Sequence, residues 1–136
     1  MGVDIYLEWE NKTEKENQAQ ITGFRTSGKT GYLRGAYFGG YSDVLNYLFD
    51  WMSWDEVTPF DPQAFELRLN VIRKNRTRPN KNGWRQYRDA DHGFNQLHDR
   101  QNKDIDDETI KEYEDFLTFG KTLIKNGKNP KVYISY

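Results

Sequence analysis

Residues 23–42, GFRTSGKTGYLRGAYFGGYS, constrain the fold most, because they hold six of the eleven glycines of this 136-residue chain. Glycine weakens helices and strands, but it lets a ligand or another backbone approach the main chain closely. So many glycines are unfavourable unless the backbone itself has a role here. Ser42 precedes an apolar helical pattern, where it would be the N-cap and the N–H groups of Gly39 and Gly40 would suit an anion. We interpret this stretch as a binding loop.

Within this stretch, Gly23, Gly28, Lys29 and Thr30 match the phosphate-loop expression G-x-x-x-x-G-K-[ST] letter for letter. A true phosphate loop joins a buried apolar strand directly to a helix, and a later strand ends in an Asp that binds magnesium. Residues 17–22 are too polar for such a strand, and the later glycines interrupt the helix that should follow. We interpret the match as accidental and predict no nucleotide hydrolysis.

The composition favours one globular domain over residues 1–136, with 15% aromatic residues supplying the core. The absence of cysteine excludes disulfides and thiolate metal sites, and it fits a cytoplasmic protein. Asp4 interrupts the N-terminus too early for a signal peptide, and we expect no membrane-spanning segment. A net charge of -1 gives no general attraction for duplex nucleic acid or for membranes. The sequence leaves open whether the protein forms a homo-oligomer.

The N-terminal half of the chain predicts strands first and helices later. Residues 3–9 alternate between apolar and polar, which predicts a half-buried strand with Asp4, Tyr6 and Glu8 on its polar face. Residues 11–17 suggest a turn, and residues 18–24 and 31–38 predict two more short strands. Apolar residues at helical spacing predict a helix over residues 42–54.

The remaining patterns add two helices and a strand. Asp61 is placed as an N-cap before Pro62, which predicts a helix that runs to Asn75. The last helix begins at Asp106 and ends before residues 126–127, and residues 131–136 form a strand that can pair with the first. We therefore predict an α+β fold in which a small mixed or antiparallel sheet, with its first and last strands paired, packs against two or three helices. The predicted buried stripe of the last helix comprises Ile110, Tyr113, Leu117, Gly120 and Ile124.

The segment 68–88 has eight basic residues and no acidic one, with Trp84 and Tyr87 among them. We predict an exposed loop over residues 76–83. Arginines interleaved with aromatics can pair with phosphates while bases stack on the rings, but such a run can equally be a solvated face. His92 and His98 follow among carboxylates without a recognised ligand spacing, so we predict neither a metal nor a cofactor.

The opening MGVDIYLEW, followed by ITGF and GYLRGAY, resembles a family of small uncharacterised proteins in bacterial and phage genomes. These share an MGVDIY-type start and a Gly-Tyr-Leu-Arg-x-Ala-Tyr stretch. The resemblance covers about the first third of the chain and implies no activity. It groups Asp4, Tyr32, Arg34 and Tyr37.

These observations favour non-enzymatic binding of a phosphate-bearing small ligand, with a nucleotide as the first candidate and sequestration by a phage or bacterial accessory protein as one biological role. Two alternatives stay open: a small enzyme in which Asp4, Glu8 or His92 converge on the glycine-rich loop, and a protein-interaction module with exposed aromatics. Arg34 also has a structural alternative, an ion pair with Asp4 or Glu8. No catalytic residue is predicted, and the predicted ligand-binding residues are Arg25, Lys29, Tyr32, Arg34, Tyr37, Gly39, Gly40, Tyr41, Ser42, Trp84, Arg85 and Arg88.

Overall fold

The computed structural model describes residues 2–21, 27–36, 43–53, 56–75, 84–86, 96–98 and 107–135. Its strands are β1 (Gly2–Glu8), β2 (Tyr32–Ala36), β3 (Thr58–Pro59), β4 (Trp84–Gln86), β5 (Gln96–His98) and β6 (Lys131–Ser135). Its helices are α1 (Glu14–Ile21), α2 (Asp43–Leu48), α3 (Pro62–Asn75) and α4 (Asp107–Lys125). This is the α+β class that the sequence predicts.

Four of the strands form an antiparallel sheet in the order β2-β1-β6-β3. The first and last strands pair at its centre, with Asp4 opposite Ser135 and Glu8 opposite Lys131. Because side chains alternate along a strand, one face of the sheet is apolar and buried. The buried residues of this inner face are Ile5, Leu7, Leu33, Val132 and Ile134.

Three helices contribute to the core that the inner face completes, as the sequence predicts. The helix α3 begins where expected, because the Asp61 Oδ1 atom accepts a hydrogen bond of 3.1 Å from the Ala64 N–H group. Arg68 on α3 is only 5% exposed; it pairs with Asp50 and donates a 3.0 Å hydrogen bond to the Ala64 carbonyl. The core residues of these helices are Leu45, Tyr47, Leu48, Phe65, Leu69, Ile72, Ile110, Tyr113, Phe116, Leu117 and Leu123.

The long helix α4 differs from its prediction at one position of the buried stripe. Ile124 is 43% exposed, and Leu123 is buried instead. Phe116, which is not in the predicted stripe, is also buried. The predicted end is confirmed: Gly127 has φ +71°, and the Gly127 and Lys128 N–H groups donate to the carbonyls of Ile124 and Leu123 at 3.0 and 2.9 Å. The left-handed glycine terminates the helix, and the two N–H groups satisfy two of the last carbonyls of the helix.

The helix α1 contradicts the predicted turn over residues 14–17 and the predicted strand over residues 18–21, whereas residues 22–24 of that strand lie outside the described residues. Thr13 and Glu16 form a capping box, in which each side chain accepts a 3.1 Å hydrogen bond from the other residue's backbone N–H group. The polar helix is then anchored by Gln20, whose Nε2 atom donates to the carbonyls of Leu7, Thr30 and Gly31 at 2.9, 3.1 and 2.9 Å. These hydrogen bonds, rather than an apolar stripe, hold α1 in place.

The helix α2 is shorter than the predicted 42–54 helix. After Leu48 the chain continues in tighter turns, with the Asp50 N–H group donating to the Tyr47 carbonyl and the Met52 N–H group to the Phe49 carbonyl, both at 3.3 Å. The Trp51 indole N–H donates to the Leu48 carbonyl at 2.9 Å and so satisfies an acceptor at the helix end. The predicted N-cap, residue 42, lies outside the described residues.

The strands β4 and β5 form a separate antiparallel pair that the sequence analysis does not predict. Both strands follow the loop predicted over residues 76–83, and that loop lies outside the described residues. Only the backbone of these two strands is described, so the predicted contacts of Trp84 and Arg85 stay predictions.

Candidate ligand site on the outer face of the sheet

The phosphate-loop match lies in a structural context that such a loop does not have. Gly28–Thr30 is a 3₁₀ turn that leads into strand β2 rather than into a helix, and helix α1 lies on its N-terminal side. The Gly28 N–H group donates to the Glu112 Oε2 atom of α4 at 2.6 Å, so this amide binds a carboxylate of the protein itself. Lys29 is exposed on the turn. The geometry agrees with the interpretation of the match as accidental.

Two glycines of the predicted binding loop serve packing instead. A Cβ atom on Gly28 would overlap the Glu112 carbonyl oxygen and lie 2.7 Å from the Phe116 nitrogen. Gly31 has φ +76°, and a Cβ atom there would lie 3.0 Å from the Phe119 ring. The absence of side chains at these positions therefore lets the turn lie against α4.

The outer face of the sheet carries a row of three tyrosines across its strands. Tyr6 on β1 lies opposite Tyr32 on β2 and Tyr133 on β6. The Tyr6 and Tyr32 rings meet edge to face with centroids 4.9 Å apart, whereas the Tyr6 and Tyr133 rings are stacked with centroids 6.4 Å apart. Tyr133 is 45% exposed and Tyr6 is half-buried, but Tyr32 is only 3% exposed. This tyrosine row thus offers aromatic surface at Tyr133 and Tyr6.

Next to the tyrosine row, Asp4 joins two residues of β2. The Tyr32 hydroxyl donates a 2.5 Å hydrogen bond to the Asp4 Oδ1 atom, and the Arg34 Nε atom lies 3.7 Å from the same oxygen. The ion pair is the structural alternative foreseen for Arg34. The Arg34 side chain is still 38% exposed, so its charge is at the surface. Because exposed ion pairs contribute only about 0–1 kcal/mol, this contact orients Arg34 more than it stabilises the fold.

The pKa values of Tyr6 and Tyr32, the two less exposed tyrosines of the tyrosine row, are both raised. Burial raises the pKa of Tyr32 above its usual value, and the hydrogen bond to Asp4 raises it further. Burial also raises the pKa of Tyr6, with the negative charge of Asp4 as the second cause. Both hydroxyls are therefore neutral hydrogen-bond donors at physiological pH, and neither is prepared to act as a nucleophile.

The carboxylates of the enzyme hypothesis do not meet on the outer face. Asp4 and Glu8 are four residues apart on one strand, which separates their Cα atoms by roughly 13 Å. Glu8 pairs with Lys12 at 3.2 Å. The third residue of that hypothesis, His92, lies outside the described residues, so the hypothesis keeps no convergent pair in the part of the chain that is described.

A shallow groove continues the outer face past Glu8. Its volume is about 240 Å³. Within it the Asn129 amide donates a 3.1 Å hydrogen bond to the Glu10 Oε1 atom. The lining residues are Glu8, Trp9, Glu10, Asn129 and Lys131.

Of the predicted site residues, Tyr32 and Arg34 come together beside Asp4, and Lys29 lies on the 3₁₀ turn before β2. Tyr133 and Lys131 are not among the predicted site residues, and Tyr6 is predicted only as a residue of the polar face. The alternation in residues 131–135 could have revealed both of the missed residues, because it places them on the face opposite Val132. The predicted residues outside the described ranges are Arg25, Tyr37, Gly39, Gly40, Tyr41, Ser42 and Arg88.

Comparisons of the chain with protein-family models, with curated proteins and with solved structures found no match. The resemblance to small bacterial and phage proteins therefore stays a prediction. In the part of the chain that the structure describes, no helix combines the length and apolar character that crossing a membrane requires. The same residues contain no group of three or more His, Asp or Glu side chains arranged to hold a metal ion.

Proposed function

We propose that the outer face of the sheet binds a phosphate-bearing small ligand without converting it, and that this ligand is a nucleotide. The observation that carries the proposal is the tyrosine row with Arg34 beside it. A base would stack on the Tyr133 and Tyr6 rings, and Arg34 would pair with a phosphate. Tyr32 is buried, so in this proposal it positions Asp4 and Arg34 and does not stack on the base.

The expected affinity is modest. Stacking of one base on an aromatic ring contributes about 1–3 kcal/mol. A hydrogen bond to a charged group contributes about 1.5–3 kcal/mol. A mononucleotide held by these two contacts should therefore bind with a Kd on the order of a millimolar or somewhat below. The lack of cysteine fits a reducing compartment, and we propose that this binding takes place in the cytoplasm.

Calorimetric titration with adenosine, AMP, ADP, ATP and inorganic phosphate tests the proposal. Arg34→Lys should weaken AMP binding although the positive charge is kept, because an ammonium group cannot reproduce the planar fork of arginine. Tyr133→Ala should remove the stacking surface. Leu67→Ala on α3 is the matched control, because it truncates a side chain that is 55% exposed on a helix instead of the sheet.

Thermal melting separates the ligand role of Arg34 from a structural one. Loss of the exposed Asp4 contact should lower the free energy of unfolding of ligand-free Arg34→Ala by less than about 1 kcal/mol. A much larger destabilisation, together with no nucleotide binding by the parent protein, would show that Arg34 is structural and would refute the proposal.

A further inference from the structure

The described strands carry two basic side chains on the outer face, Arg34 and Lys131, and these lie on opposite sides of the tyrosine row. The strand register places Arg34 beside Asp4, the three tyrosines in the middle, and Lys131 beside Glu8. Arg34 is on β2 and Lys131 is on β6, with β1 between them. Two strand spacings across the sheet and four residues along it separate their Cα atoms by roughly 16 Å.

A free 5′-mononucleotide fits only half of this arrangement. Its phosphates lie on one side of its base, so a base stacked on Tyr133 or Tyr6 can bring them to Arg34 or to Lys131, but not to both. A nucleotide within a chain has a phosphate on each side. The opposite placement of the two cations therefore matches a segment of two or three nucleotides.

The bases of that segment must be unpaired. A base can stack on a tyrosine ring only if the face of the base is accessible. In a duplex the faces of internal bases are covered by the neighbouring bases. On the described outer face, Arg34 and Lys131 are balanced by Asp4 and Glu8, so attraction for a nucleic acid backbone depends on local contacts with these two cations and not on an overall positive charge. Glu8 forms its ion pair with Lys12 and not with Lys131, which is exposed.

We infer that the outer face binds a short single-stranded nucleic acid segment, with bases on Tyr6 and Tyr133 and phosphates at Arg34 and Lys131. This inference rests on the proposed function and narrows its ligand class. It makes Lys131 a binding residue. It also limits the number of phosphate contacts from the described outer face to two, which predicts a slope of about -1.4 for log K against log salt concentration.

The inference can be tested by fluorescence anisotropy with a labelled octathymidylate. Thymidine monophosphate, dithymidylate and trithymidylate are then added as unlabelled competitors. Trithymidylate should compete about fivefold or more better than the monophosphate, because a second stacked base contributes about 1–3 kcal/mol, and 1 kcal/mol is a factor of about five. Lys131→Ala should weaken trithymidylate binding several-fold and affect monophosphate binding less, because the monophosphate can still place its phosphate at Arg34. Lys121→Ala is the matched control, since it removes an exposed lysine of α4 that pairs with Glu66.

The possible outcomes separate the inference from the proposed function. Equal competition by the monophosphate and trithymidylate, or no effect of Lys131→Ala on trithymidylate, would overturn the inference while nucleotide binding stands. No binding of the labelled strand, together with no binding of AMP, ADP or ATP in the calorimetric titration, would overturn both. Melting curves of the variants should match that of the parent, because Lys131 and Lys121 are exposed.

Discussion

Replacement of Gly28 by alanine should destabilise the fold strongly, although the residue lies in a surface turn. The new Cβ atom would overlap the Glu112 carbonyl oxygen and lie 2.7 Å from the Phe116 nitrogen and 2.9 Å from the Asp115 Cβ atom. Normal contact distances would require the turn to move roughly 1 Å away from α4. Overpacking of this kind costs about 1–3 kcal/mol. The displacement would also stretch the 2.6 Å hydrogen bond to Glu112, and a bond to a charged group contributes about 1.5–3 kcal/mol.

Together these effects predict a loss of about 3–5 kcal/mol from a total stability of about 5–15 kcal/mol. Urea unfolding followed by tryptophan fluorescence measures it. Gly127→Ala is the matched control: its φ is +71° and no atom lies within 4 Å of the new Cβ, so it should cost only the left-handed strain of about 1–2 kcal/mol. If Gly28→Ala is as stable as the parent, or more stable than Gly127→Ala, then the turn does not pack on α4 as described.

Three further predictions concern individual side chains. Lys29→Ala should change the free energy of unfolding by less than about 0.5 kcal/mol, because the residue is exposed. The parent protein should release no phosphate from ATP or GTP, and a magnesium-dependent release that disappears in Lys29→Ala would contradict this prediction. The pKa values of Tyr32 and Tyr6 are raised in the native state, so these two residues contribute fully to the free energy of unfolding below about pH 10, and the contribution is lost as the pH rises through the native pKa values. Denaturant unfolding at stepwise alkaline pH should show this loss of stability, and Tyr32→Phe should reduce the loss. Thr13→Ala should destabilise α1 by about 1 kcal/mol, which amide exchange would detect as faster exchange in α1. Hydrogen bonds to Thr13 lower the pKa of Glu16, so the contribution of Glu16 to stability should disappear as the pH falls below 4.5 and through the lower native pKa. Unchanged amide exchange in Thr13→Ala would mean that the capping box does not hold the helix.

The elements that the sequence predicts well are those in which apolar periodicity and end signals agree. Strands β1 and β6 alternate cleanly, and α3 has both an N-cap aspartate and a proline at its first position. The helix α1 lacks an apolar stripe, so its polar composition looked like a turn; the pattern Thr13-x-x-Glu16 was its one local signal. Gln20 holds this helix through hydrogen bonds to residues distant in sequence, and no periodicity reports such contacts.

The candidate site was only partly predictable for a similar reason. Tyr32 and Arg34 stand in one short motif, and Asp4 was grouped with them through the resemblance. Tyr133 and Lys131 join them only through the register between strands from opposite ends of the chain. The glycines of the predicted binding loop were a misleading signal at Gly28 and Gly31, since close packing of two backbones and binding of a ligand both favour glycine.

The pairing of β1 with β6 also governs the order of events when the chain folds. The strand β1 is synthesised long before β6, its partner at the centre of the sheet, and contacts so distant in sequence slow folding because a long loop must close first. Until Lys131–Ser135 emerges from the ribosome, β1 has β2 alone beside it, and its other edge can pair with strands of other chains. We therefore expect slow refolding, and aggregation at high concentration that is competed by a peptide of the β6 sequence.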